Sequence, residues 1–224
     1  MEQPDTPARE RLADIRARIV AAARLARREA DGIALIAVSK THGAERIVRL
    51  IAAGQRIFGE NRVQEAAEKW PALRAEHPDI ALHCVGQLQS NKADEAVRLF
   101  DCIHSLDRPS LVAALARAMD RAGRQVPSFV QVNIGEESQK GGCALADLPG
   151  LIAEARAAEI PLLGLMCVPP FDVEPAPYFA LLAKLADDHG LAGLSMGMSD
   201  DFETAVMLGA THVRVGSALF GARP

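Results

Sequence analysis

The sequence predicts an α/β protein: a single (β/α)₈ TIM barrel of 224 residues with one extra helix at its N-terminus. Three observations lead there. Strand-like apolar runs alternate with helix-like segments eight times along the chain. The first run, IALIAVS at 33–39, has the length and branching of a strand buried on both faces, as a parallel sheet requires. No GxGxxG fingerprint follows a strand, which favours a closed barrel over a doubly wound open sheet.

Each element has its own signal. Thr6 and Pro7 supply a cap and a first-turn proline, and Leu12, Ile15, Ile19, Ala22 and Ala26 recur at helical spacing. Asp31-Gly32 ends that segment, so 1–31 reads as a helix packed on the barrel. After strand 33–39, helix 44–53 stops at Gly54 and strand 56–59 follows. Helix 61–74, interrupted near Pro71, leads to strand 81–85, and helix 91–99 to strand 102–105. Helix 109–122 then precedes strand 128–134, and helix 148–158 precedes strand 161–166. Helix 177–189 ends at Gly190 before a short strand near 193–196, and helix 200–208 leads to the last strand, 211–215. No Pro/Gly/Ser-rich linker divides the chain, so 1–224 is read as one domain.

Composition excludes several functions. A net charge of −4 without a basic tail or stripe argues against nucleic acid or an anionic membrane as partner. Arg24, Arg27 and Arg28 are offset by Glu29 and Asp31 and read as a solvated helix face. Cys84, Cys102, Cys143 and Cys167 form no CxxC pair, so neither a disulfide framework nor a zinc site is expected. The N-terminal MEQPDTPARERL lacks a signal region, and no apolar run approaches membrane-spanning length. The expectation is a soluble cytoplasmic protein, with a monomer as the simplest state.

In such a barrel the site lies where the strands end. Strand one runs into Ser39, Lys40 and Thr41, and strand two into Glu60 and Asn61. A lysine at an apolar rim is easier to deprotonate and suits attack on a carbonyl; the bland alternative is a lysine reaching out to solvent. Met198-Ser199-Asp200 is expected to open a helix whose N–H groups receive an anion, and Gly216-Ser217 follows strand eight beside Arg214. Loops seven and eight are the usual phosphate site of this fold. Asp200 and Asp201 would repel a phosphate unless turned outward. Lysine and phosphate site together fit either a Schiff-base aldolase or a pyridoxal phosphate protein, and spacing alone does not separate them.

The local motifs do. AVSKTH (37–42), IFGENRVQE (57–65), HCVGQLQSNK (83–92), QVNIGEESQKGG (131–142), GLMCVPP (164–170), LSMGMSDDFETAV (194–206) and THVRVGSALFGAR (211–223) resemble the pyridoxal phosphate homeostasis protein family, which is similar to the N-terminal barrel of alanine racemase. The resemblance runs in order from about residue 10 to the C-terminus. It implies pyridoxal 5′-phosphate as cofactor, held as a Schiff base on Lys40 with Asn61 alongside. It also implies phosphate contacts from Ser199, Gly216 and Ser217, and Arg214 near the pyridine nitrogen. His42-Gly43 and Cys84-Val85 depart mildly from the family pattern.

An arginine at the ring nitrogen disfavours its protonation and weakens the ring as an electron sink. Alanine racemases add a tyrosine base from a second domain, whereas this chain ends after the barrel and has one tyrosine, Tyr178. The expectation is therefore a non-catalytic protein that stores, buffers or delivers the cofactor, with apo-enzymes as transient partners. A racemase, a decarboxylase or a class I aldolase is the alternative. Glu60 and Glu65 read as surface residues of a helix start, and His83 as a satisfied core histidine. Lys92 is a second basic group or a solvated one, and Lys140 a lid residue; His104, Asp101 and Asp107 show no metal-ligand spacing.

Overall fold

Eight parallel strands close on themselves in chain order. The computed structural model describes residues 6–221, and the side chains of residues 7–221. The strands are β1 (Ala34–Val38), β2 (Ile57–Glu60), β3 (Ala81–Cys84), β4 (Cys102–Leu106), β5 (Ser128–Val132), β6 (Leu162–Cys167), β7 (Gly193–Ser195) and β8 (His212–Val215). Closure comes from β1 pairing with β8, Ala34 opposite His212 through Ala37 opposite Val215. The expected (β/α)₈ barrel is thus present, with strand ends within two residues of expectation.

Helix α1 (Thr6–Leu25) precedes the barrel and α2 (Ala44–Ala52), α3 (Val63–Glu76), α4 (Ala93–Leu99), α5 (Pro109–Ala122), α6 (Leu148–Ala157), α7 (Ala176–Asp188) and α8 (Phe202–Met207) connect its strands. The expected Thr6 cap lies outside the described side chains. Several expectations need correction. Helix α3 runs unbroken through Pro71, held on the barrel by fully buried Trp70 and by Leu73 on either side of it. The four-residue helix α9 (Ser217–Phe220) was not anticipated, being too short to show a period.

Helix α1 ends sooner than expected because Arg27 turns left-handed at φ 55°. Its apolar face, including Leu12, Ile15 and Ile19, is buried. Polar clamps fix it beside α8 and α9: Arg18 grips Glu203 with two bonds of 2.9 and 2.8 Å, and Arg11 donates to the Leu219 carbonyl. Arg28, expected to be solvated, instead donates to the Val206 and Ala210 carbonyls, and burial lowers its pKa. No helix among the described residues is long and apolar enough to cross a membrane.

Alternation along each strand makes two cores. Leu35, Ala37, Leu82, Val130, Val213 and their neighbours face the helices. Inside the barrel Cys102, Phe129 and Met166 pack together. Gly164 and Gly193 let β6 and β7 approach: a Cβ on Gly164 would lie 1.8 Å from the Gly193 carbonyl oxygen. Gly164→Ala should therefore lower unfolding free energy by about 3 kcal/mol, the upper end for overpacking, because rigid backbone must move. Chemical denaturation checks this; an unchanged midpoint and slope would contradict it.

Candidate functional site

Lys40 follows β1 in a turn held from behind by a buried ion cluster. Glu60, at the end of β2, is fully buried. Its carboxylate accepts from Ser39 Oγ at 2.7 Å, from Trp70 Nε1 at 3.1 Å and from Lys69 Nζ at 2.7 Å. Lys69 also donates to the carbonyls of Ser39 and His42, and Glu65 takes the Thr41 N–H at 2.6 Å. Glu60 is thus not the surface residue expected of it, whereas Glu65 stands partly exposed in the first turn of α3 as expected. They clamp the segment 39–42, in which Thr41 sits at φ 65°, a conformation that a β-branched residue adopts only under such constraint. The Glu65-to-Lys69 spacing was the one sequence signal of this clamp.

The C-terminal rim encloses a cavity of about 450 Å³. All six residues singled out from the sequence, Lys40, Asn61, Ser199, Arg214, Gly216 and Ser217, line it, with Val38, Val85 and Val168 as apolar walls. Gly86 brings Asn61 in: a Cβ there would lie 2.3 Å from the Asn61 carbonyl oxygen. A larger hollow of about 520 Å³ lies between α1 and the opposite ends of β1 and β2, away from these groups.

Three polar groups converge on one side of the cavity. Gly216 N–H points at Ser199 Oγ at 3.3 Å, and Ser217 Oγ lies 3.1 Å from the same atom. The helix expected over 200–208 begins at Phe202 instead, after a turn in which Asp201 Oδ1 accepts the Met198 N–H. That contact turns Asp201 to its own backbone, while Asp200 remains an exposed residue of the cavity lining. Burial raises the Asp201 pKa, with the Met198 contact opposing.

Arg214 forms the floor. It is 5% exposed and donates to Ser195 Oγ at 2.7 Å and to the Cys167 carbonyl at 2.9 Å. Burial pushes its pKa down from the usual arginine value. Lys92 pairs with Glu95 beside a neighbouring hollow at Asn61, and Lys140 pairs with Glu137 and donates to the Pro169 carbonyl.

Beneath Arg214 the barrel interior is polar. His83 Nδ1 lies 2.9 Å from His104 Nε2, and His104 Nδ1 lies 2.8 Å from Ser195 Oγ. His83, Cys102 and His104 have ligand-type atoms all within 4.8 Å of one another, a grouping that sequence spacing did not reveal. Its chemistry favours a hydrogen-bonded network over a metal centre. Two nitrogens on one zinc ion sit about 3.3 Å apart, the Arg214 cation lies one hydroxyl away, and burial raises the Cys102 thiol pKa. Burial likewise holds the four cysteines, all free, as thiols: Cys84, Cys143 and Cys167 are pushed up to about 12.

A closed parallel barrel with a lysine, a cluster of hydroxyls and a buried arginine around one C-terminal cavity brings together groups whose chemistry suits a phosphorylated carbonyl compound. Residues 11–224 match the family described as "Alanine racemase, N-terminal domain". The pyridoxal phosphate homeostasis protein of Pseudomonas aeruginosa is 42% identical over 223 residues, 96% of this chain and 95% of that protein. That of Escherichia coli is 38% identical over 229 residues, covering 95% of each. PipY of Synechococcus elongatus, solved with PLP bound, superposes with a TM-score of 0.84 at 38% identity, covering 96% of this chain and all of that one. The chain belongs to the pyridoxal phosphate homeostasis protein family.

Two outcomes are expected. Lys69→Met leaves the buried Glu60 charge uncompensated and should cost about 3–5 kcal/mol of stability, read by urea unfolding; a loss under about 1 kcal/mol would refute the clamp. The second concerns acid. His83 and His212 are pushed down to about 4, mainly by burial and further by charged or titratable neighbours. The unfolded chain takes up protons below the usual 6.5 while the folded one resists, so stability is full above 6.5 and declines towards pH 4. Replacing His83 with Phe should flatten that decline in denaturation curves collected across this range.

Proposed function

We propose that this chain binds pyridoxal 5′-phosphate as a Schiff base on Lys40 and serves cellular vitamin B6 homeostasis by storing, buffering or delivering the cofactor, without dedicated turnover. The observation that carries the reading is the single cavity that joins a primary amine, paired hydroxyls and a buried guanidinium. When bound, the cofactor supplies an aldehyde, an aromatic ring nitrogen and a phosphate. This donor set fits all three. Lys40 would supply the primary amine that condenses with the aldehyde, with water as the leaving product. Ser199 and Ser217 hydroxyls and the Gly216 N–H, which meet on one side of the cavity, would hold the phosphate. Arg214 would face the ring nitrogen and Asn61 would border the ring, both lining the same cavity.

The same residues restrain chemistry. A guanidinium at the ring nitrogen competes with protonation there, so carbanion formation gains little. No tyrosine lines the cavity; the only one, Tyr178, lies on α7. We take 1–224 as one cofactor-binding domain, monomeric and cytoplasmic, where free buried thiols are at home. Apo-enzymes that need the cofactor are the transient partners this reading supplies.

Adding pyridoxal phosphate to purified protein should give visible absorbance that Lys40→Ala abolishes, and Ser217→Ala should weaken binding about tenfold. Racemase and decarboxylase assays should stay at background. A wild-type protein that remains colourless under excess cofactor sinks the proposal.

A further inference from the structure

A buried cation normally demands a carboxylate, yet among the described residues none bonds Arg214; its acceptors are a hydroxyl and a carbonyl. The donors around it must therefore be oriented. Arg214 only donates, so Ser195 Oγ accepts, and the Ser195 proton has one acceptor within reach, His104 Nδ1 at 2.8 Å. His104 then carries its proton on Nε2 and donates to His83 Nδ1 at 2.9 Å, which leaves the His83 proton on Nε2. Ser195 and His104 are fully buried, and Phe129 stacks on the His104 ring with centroids 4.5 Å apart. His212, whose Nδ1 bonds Thr211 Oγ1, packs its edge against both rings. Every donor points away from the arginine, so each bond turns the negative end of its dipole towards the cation and polarises the next.

We propose that Ser195, His104 and His83 are positioning residues for the cofactor: a one-way hydrogen-bond relay that holds Arg214 aimed at the ligand's ring nitrogen without a hydrogen-bonded carboxylate. This rests on the pocket holding pyridoxal phosphate. The consequence is that the cation stays short of acceptors on its open side, the side that lines the cavity, and selects a ligand offering a nitrogen lone pair there.

Two measurements test the relay. Long-range ¹H–¹⁵N spectra of the cofactor-free wild type should show His104 neutral with its proton on Nε2; an Nδ1–H tautomer or an imidazolium overturns the proposal. Ser195→Ala should raise the pyridoxal phosphate Kd about ten- to a hundredfold and shift the pH dependence of the bound chromophore, while circular dichroism stays native. A Kd within twofold of wild type with an unchanged pH profile overturns it too. Should Ser195→Ala fail to fold, the tautomer decides. A colourless wild type would instead refute the cofactor reading, and the tautomer would still report on the relay.

Discussion

The pairing of β8 with β1 is the constraint on which the rest of the molecule depends. It joins the two ends of the sheet and leaves no edge, and it sets Ile36 opposite Arg214 in one register. Lys40 and Ser217, carried just past the ends of those strands, thereby reach one cavity although they stand at opposite ends of the sequence. Helix α1 reinforces the seam from outside. Its arginines hold the Leu219 carbonyl and Glu203, so the loops after β7 and β8 rest on a fixed support rather than on their own short helices.

Inside the barrel, polarity is placed where aliphatic side chains usually fill the layers. Arg214 bonds Ser195, which reaches His104 and through it His83, and Phe129 and His212 pack on the His104 ring. Burial keeps these histidines neutral, which suits groups that must accept and pass on hydrogen bonds beside a cation. Behind Lys40 the opposite solution operates. Lys69 and Glu60 form a true buried ion pair, and their bonds to the backbone of 39–42 fix the turn that presents the lysine. One side of the cavity is thus held by charge pairing and the other by aligned dipoles.

Much of this was legible in the chain. Alternating periods gave the strand and helix order, and the strand ends pointed to Lys40, Asn61, Ser199, Arg214, Gly216 and Ser217, which one cavity brings together. What failed had a common cause. Glu60 looked like a surface acid because its partners, Ser39, Lys69 and Trp70, come from three different segments. Arg28 looked solvated because the carbonyls it reaches belong to residues far along the chain. The helix reads as opening at Met198-Ser199-Asp200 because the turn there runs directly into the helix that begins at Phe202.

By itself, then, the sequence determined the barrel, its order and the chemical identity of the groups at its rim, since periodicity and strand ends are local properties of a chain. Only the tertiary structure decided which buried polar groups meet. The Glu60 clamp and the path from Arg214 through Ser195 to His104 and His83 depend on strand register and on closure of the barrel. Side chains on different strands become neighbours only once that closure has set their heights, and no spacing along one strand encodes it.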